Sequence, residues 1–504
     1  MMCMVFSGGT DKSRDLVIDP VVAFSTYLGG NNYDYALGAA VDNSTGQPEL
    51  IVDGETLANN FPTTAGVILP TWCPTVSNPA VMFLTKYAPG GSSLIYSTYV
   101  NAGNYECSAN ALAVDQSGDA YIAGTDISEA GGSPTSYGVV MKINSTANAI
   151  YYSVPISTVP APNNYTNYVQ GFTAIAVDSN GQAYTTGYSV SPVDNHSRYH
   201  YYSFAIKFSP TGGIDYETVL STIYRNQDPM FGGRAIAVDS NGNAFVTGTG
   251  YDSTRNVGGT GLYELNPSGG IVQSQILTVT HADTYAPYDD AGFAIALDAS
   301  DNIYITGLTN DDTVLSPANP NGFPVTTGAL QPTFSGDSAT SAYLIKLNSS
   351  FNVIYGSYLS TSGGNDATGN TWGNGIAVDS QGDVTIVGQT SNAYFWIVNP
   401  PSITPSQATY PTGNTTDGFI TQFNGSNLST LNYSTYWGGP ESSTLNGLSR
   451  QAVTAVALDS SGDVYVTGFT DSFNFPVTSN ALQPTNPDPS GYWAAYVSEL
   501  QPSS

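Results

Sequence analysis

A unit of about fourteen residues recurs along this chain, and its recurrence constrains the fold more than any other feature. Residues 111–124 read ALAVDQSGDAYIAG, 174–187 AIAVDSNGQAYTTG and 235–248 AIAVDSNGNAFVTG. Residues 294–307 read AIALDASDNIYITG, 375–388 GIAVDSQGDVTIVG and 455–468 AVALDSSGDVYVTG. A degenerate seventh copy, 38–54 (GAAVDNSTGQPELIVDG), carries three extra residues in its turn. The repeated aspartates are Asp42, Asp115, Asp178, Asp239, Asp298, Asp379 and Asp459, spaced 73, 63, 61, 59, 81 and 80 residues apart. A long fixed motif at such intervals is the mark of a repeat architecture.

Each copy reads as a hairpin. Small and large apolar residues alternate before the Asp, as a strand's period of two requires. In D-S-x-G-[ND] the Asp carboxylate can accept forward backbone N–H groups and the Gly accepts positive φ. A second β-rich run follows and ends in Gly. Later in the unit comes another hairpin: 82–100 is MFLTKYAPGGSSLIYSTYV, 204–220 FAIKFSPTGGIDYETVL and 343–359 YLIKLNSSFNVIYGSYL. One unit thus holds four strands, a to d, and seven such units predict an all-β, seven-bladed β-propeller with four-stranded blades. The last unit ends on a strand-c match, 494–500 (AAYVSEL), and lacks strand d. Segment 22–28 (VAFSTYL) matches the strands d at 94–100 (LIYSTYV) and 431–437 (LNYSTYW). The N-terminal strand is therefore expected to complete the C-terminal blade and close the ring, leaving residues 1–20 as a tail and 21–504 as one propeller.

The D-x-x-G-[ND]-x-[YF]-[VI]-T-G signature, followed by F-P-x-T-x-x-A-L-Q-P, resembles the SBBP seven-bladed propeller repeat. Residues 323–332 (FPVTTGALQP) and 475–484 (FPVTSNALQP) match the second part closely, 61–70 (FPTTAGVILP) loosely, and blades two to four lack it. The resemblance covers nearly all of 22–500. It implies an extracellular protein of bacterial or archaeal type and no single activity.

Composition narrows the function. Of 504 residues 40% are hydrophobic and 10% charged, against about 25% charged in an ordinary soluble domain. Eleven Lys plus Arg face 39 Asp plus Glu, a formal charge of −28, so the basic footprint of a nucleic-acid binder is missing. There is no run of 18 apolar residues to span a membrane as a helix. Met1–Phe6 is too short for a secretory apolar core and no basic residue precedes it, so the expectation is either that this is not the start of the exported precursor or that the protein leaves the cell by another route, such as release of a virion by lysis.

Candidate sites are few. In a meander the a–b and c–d turns share one face and are tight, while the b–c and d–a connections are long, as at 282–293, 310–341, 389–418 and 438–453. The long-loop face is where partners are expected. Four of the five lysines, Lys86, Lys142, Lys207 and Lys346, fall at one position near the end of strand c, on the side of the repeated Asp. A recurring Lys–Asp pairing is inferred, with Glu264, Gln422 and Glu499 as departures. The Asp motif offers too few oxygens for calcium, which wants six to eight. Denser acids at Asp283, Asp289 and Asp290, and at Asp311 and Asp312, read as solvated surface, with a Ca²⁺ there as the less favoured reading; no cofactor is expected otherwise. Cys73 and Cys107 flank adjacent repeats and read either as a disulfide or as two half-buried thiols.

His196, His200 and His281 read as loop histidines, since HSRYH lacks the Glu of a zinc-protease helix. The stretch 8–13 (GGTDKS) lacks phosphate-loop spacing, and no catalytic or metal-binding set emerges. Sequons stand at Asn43, Asn144, Asn164, Asn195, Asn348, Asn414, Asn424, Asn427 and Asn432, nearly all in predicted turns or loops; their number is what chance gives at this composition. Sparse charge suits an acidic or otherwise harsh exterior, where protonating carboxylates should change the fold little. The leading expectation is a non-enzymatic structural or adhesive glycoprotein of a cell surface, filament or virion exterior, associating with itself or with other surface proteins. Its rivals are a carbohydrate-binding or carbohydrate-active propeller, with Trp372, Tyr394, Trp396 and Trp437 stacking on sugars, and a viral receptor-binding spike.

Overall fold

Seven antiparallel sheets follow one another along the chain in a computed structural model. It describes residues 20–501 apart from 73–79, 102–105, 129–134, 161–166, 192–199, 225–231, 253–256, 279–289, 311–321, 335–339, 362–368, 402–415 and 440–449. Blade 1 runs Asp34–Asp42, Glu49–Thr56, Val81–Tyr87, Leu94–Val100, and blade 2 runs Glu106–Val114, Ala120–Ser128, Thr135–Ile143, Ile150–Ile156. Blade 3 is Asn167–Val177, Ala183–Ser191, His200–Phe208, Ile214–Tyr224, with the two-residue strand Thr158–Val159 added beside its strand a. Blade 4 is Gly233–Val238, Ala244–Asp252, Val257–Leu265, Ile271–Ile276; blade 5 is Ala291–Leu297, Ile303–Leu308, Ala342–Leu347, Val353–Leu359. Blade 6 is Thr371–Val378, Val384–Thr390, Asp417–Phe423, Leu431–Trp437.

Blade 7 takes Ala452–Leu458, Val464–Thr470 and Ala494–Gln501 from the end of the chain and Val21–Leu28 from its beginning. The closing strand pairs antiparallel, Val22 opposite Leu500 and Leu28 opposite Ala495. Its Phe24, Tyr27 and Leu28 are buried. The ring is closed as the repeat offset predicts.

The apolar cores lie between blades. Ile51, Met82 and Leu84 of blade 1 pack with Ala109, Ile122 and Met141 of blade 2, and Phe24 and Val497 of blade 7 pack with Leu50, Val52 and Phe83 of blade 1. No blade covers its own faces, so burial is completed only by the neighbours. The a–b turns form as the motif dictates: Asp115, Asp178, Asp239, Asp298, Asp379 and Asp459 each accept the N–H groups of residues two and four further on, at 2.8–3.1 Å. The turn glycines Gly118, Gly181, Gly242, Gly382 and Gly462 sit at φ between 75° and 85°, and Asp301 fills the same left-handed position at 57°.

Candidate functional site at the channel mouth

Strand a of every blade carries a bulge at one place, five residues before the repeated Asp. The residue left out of the ladder is Leu37, Asn110, Thr173, Arg234, Phe293, Asn374 or Thr454 in turn. A bulge re-aims its extra side chain. Four of the seven reach forward to the next blade: Asn110 Nδ2 donates to Phe172 O (2.8 Å), Thr173 Oγ1 to Gly233 O (2.7 Å), Asn374 Nδ2 to Val453 O (3.0 Å) and Thr454 Oγ1 to Ala36 O (2.7 Å). The last bond ties blade 7 to blade 1. The sequence repeat hides this ring because its residue types differ while the geometry repeats.

Around these positions lies a cavity of about 570 Å³, at the starts of strands a and the ends of strands b and hence on the face of the long connections. Asn110, Thr125, Gln170, Phe172, Thr173, Tyr188, Arg234, Phe293 and Asn374 line it, with Gly171. Among the described residues its lining holds one cation, Arg234, and no carboxylate, imidazole or thiol. The Arg234 guanidinium lies 5.6 Å from the centre of the Phe293 ring, within cation–π range. Burial holds the Tyr188 phenol above its usual range, against the opposing charge of Arg234.

On the opposite, tight-turn face the lysine expectation needs correction. Lys86 pairs with Asp42 (2.6 Å) and Glu49 (2.5 Å), and Lys142 with Asp115 (3.0 Å) and Asp119 (3.2 Å). Lys207 and Lys346 have no carboxylate within ion-pair reach among the described residues; they stand 4.9 and 4.8 Å from the ring centres of Tyr184 and Tyr304. Those phenols donate to Asp178 and Asp298 at 3.0 and 2.9 Å. The tyrosine occupies the carboxylate and offers the lysine its π face instead. Lys142 does both, with Tyr121 beneath it at 4.8 Å and donating to Asp115. The sequence carried this signal in the Tyr of D-x-x-G-x-x-Y. At the departures, Glu264 accepts from Gln273 and Gln422 donates to Thr385, while burial pushes Glu499 up to about 7.

The sugar-stacking aromatics fare unequally. Trp437 is fully buried in the core, Trp372 is half-buried with its Nε1 donating to Thr340 Oγ1 (2.8 Å), Trp396 is half-buried, and Tyr394 is exposed. Cys73 lies outside the described residues; Cys107 is buried with its Sγ 3.4 Å from Asp126 Oδ1. Of the acidic loop residues only Asp290 is described, and it is buried rather than a solvated acid. His196, His281, Asp283, Asp289, Asp311, Asp312, Asn164, Asn195 and Asn414 lie outside the described residues, and of His200 only the backbone is described, opening strand c of blade 3. Among described sequons Asn43 and Asn427 are exposed, Asn144, Asn348 and Asn424 half-buried in turns. Asn432 donates to Asp383 (2.8 Å) and Gln422 (3.0 Å).

No protein-family model matches the sequence, and no curated protein matches it. Among solved structures the chain is similar to a luciferin-regenerating enzyme, at 10% identity and TM-score 0.38 over 96% of this chain and 98% of that one. It is similar to an acylaminoacyl peptidase at 8% identity and TM-score 0.39, over 94% of this chain and 52% of that one. A third is the β-propeller domain of the Trilobed protease from Pyrococcus furiosus, at 7% identity and TM-score 0.35 over 96% and 97%. Similarities this remote say nothing about what the chain binds or catalyses.

Proposed function

We propose that the protein is a non-enzymatic structural or adhesive subunit of an extracellular surface, filament or virion exterior, and that it assembles through the rim of blades 2, 3 and 4. One observation supports this reading. The outer strands of blades 1, 5, 6 and 7 are strapped by their own b–c connections: Thr64 N donates to Ser97 O, Thr326 N to Gly356 O, Val398 N to Ser434 O and Thr478 N to Ser25 O. Their last five residues are buried. In blades 2 to 4 the b–c connections are short, and the outer strands Ile150–Ile156, Ile214–Tyr224 and Ile271–Ile276 have no such strap among the described residues. Ile150–Ile156 is buried only at Ile156 and Ile271–Ile276 at no residue, whereas apolar exposure at the strand starts (Tyr151, Ile214, Ile271 and Val272) is shared by Val21, Ile95 and Ile354 of the strapped blades. Three consecutive open edges with apolar side chains form a surface that natural sheets elsewhere cover or charge. Against the formal charge of −28, the edge strands themselves are nearly uncharged, Ile150–Ile156 and Ile271–Ile276 carrying no charged residue and Ile214–Tyr224 only Asp215 and Glu217, and the SBBP-like repeat supports the extracellular placement.

Electron microscopy of the full chain at rising concentration tests the reading. Rings joined rim to rim are expected, and Tyr151→Lys with Val272→Lys should return them to single rings without lowering Tm. Single wild-type rings at every concentration would overturn it. The channel-mouth cavity favours a second reading, glycan binding on the long-loop face.

A further inference from the structure

We propose that the outer strand of blade 4 pairs antiparallel with the same strand of a second copy, joining two rings edge to edge across a two-fold axis at Ser274. The proposal rests on the rim-assembly reading and narrows it to one strand and one partner.

Symmetry within the strand comes first. Residues 271–277 read IVQSQIL: two aliphatic residues, Gln, Ser, Gln and two aliphatic residues, a palindrome in chemical type about Ser274. An antiparallel pair centred there sets Val272 opposite Ile276, Gln273 opposite Gln275 and Ser274 opposite itself, so that like meets like at every step. The backbone is turned the right way for it. Leu277 N donates inward to Thr260 O (2.8 Å), while Gln275 and Gln273 stand opposite Leu262 and Glu264. By the alternation of an antiparallel ladder, Val272, Ser274 and Ile276 then point their N–H and C=O groups away from blade 4. No partner reaches these groups among the described residues. Two copies in this register exchange a pair of backbone hydrogen bonds at Ser274 and another at each Val272–Ile276 match.

The neighbouring edges are guarded where this one is not. In blade 2, Pro155 takes the place of Ile276 and has no N–H to offer an added strand. In blade 3, Asp215 and Glu217 take the places of Val272 and Ser274, so the same contact would set Glu217 against its own copy. The outer strands of the other four blades lie under their straps. Ile271–Ile276 has no charge, no Pro and no buried residue. Such a segment is prone to pair with another strand, and its palindrome favours its own copy.

The test uses the full chain, with association read by analytical ultracentrifugation and electron microscopy. Paired rings are expected at high concentration, and more of them as salt rises, because a formal charge of −28 on each copy opposes contact. Ser274→Cys should form a 274–274 disulfide on mild oxidation, identified by peptide mass spectrometry, since opposed Cα atoms of a hydrogen-bonded pair stand about 5.5 Å apart. Ser153→Cys, at the equivalent place in blade 2, should not crosslink. Ser274 is exposed, so Ser274→Glu should weaken pairing at least tenfold with Tm unchanged. If that variant does not fold, Val272→Lys serves, with the same loss expected. Rings that still pair with Ser274→Glu, or that crosslink through Ser153→Cys and not through Ser274→Cys, would overturn this contact and leave rim assembly standing. Single rings at every concentration and salt would overturn both.

Discussion

At the residue scale the informative positions are those where one blade departs from the rest. Thr186, Thr247, Thr306 and Thr467 each donate a hydroxyl to a strand-c carbonyl at 2.6–2.8 Å. In blade 1 the same place holds Asp53, fully buried, with neither carboxylate oxygen hydrogen-bonded among the described residues. Burial pushes its pKa up to about 7, and does the same to Asp34 and Glu499. A carboxyl whose folded pKa lies above its unfolded one binds its proton more tightly when folded. Stability from such groups is fully present near pH 4 and falls as pH rises toward and through 7. Asp42 and Asp115 act oppositely: burial alone would raise them, but Lys86 and Lys142 with nearby N–H groups hold them below the usual range, so their contribution is lost only on strong acidification. Tm is therefore expected to be higher at pH 4.5 than at pH 8. Asp53→Thr should raise Tm at pH 8 and flatten the profile, as differential scanning calorimetry would read. A wild-type Tm rising steadily to pH 8 would contradict this.

At the element scale the strap explains why F-P-x-T-x-x-A-L-Q-P exists. Phe475 N–H donates to Tyr27 Oη (2.9 Å), whose hydroxyl in turn donates to Ser472 O (2.8 Å). Gln483 bonds Gly29 twice, accepting its N–H (2.9 Å) and donating to its O (3.0 Å). Gln331 plays the part in blade 5, accepting from Ser360 N and Thr361 N. Gln483→Ala is expected to cost about 1–3 kcal/mol, because it leaves backbone groups of the closing strand unpartnered. Faster amide hydrogen exchange across Val21–Leu28, with little change in blade 3, would mark the effect as local. Blade 6 builds its strap without the motif, Phe395 and Val398 binding Tyr436 and Ser434, so the sequence pattern understates how many blades are strapped.

At the scale of the whole molecule, stability rests on closure. The first strand buries Phe24 and Leu28 between blades 7 and 1 and Tyr27 between blades 6 and 7, at roughly 1.5–3 kcal/mol for each such side chain. A chain starting at residue 29 should lose several kcal/mol, melt with reduced cooperativity and expose the edge of Ala494–Gln501 to intermolecular pairing. Equilibrium urea unfolding and light scattering would show both effects. An unchanged urea midpoint would mean that the ring does not depend on its closing strand.

The number of blades, the turn chemistry and the offset closure were legible in the order of residues, because local rules carry them: strand period, the Asp–Gly turn, and a missing strand d at one end matched by a spare at the other. The Lys–Asp pairs were half legible, since spacing along strands places charges on one face but does not say whether a tyrosine stands between them. The channel-mouth cavity, Trp437 in the core and the outer strands of blades 2 to 4, without a strap among the described residues, were decided by tertiary structure. Each depends on how seven sheets meet around an axis, where residues some sixty positions apart become neighbours and a bulge, not a motif, chooses which side chain faces the centre.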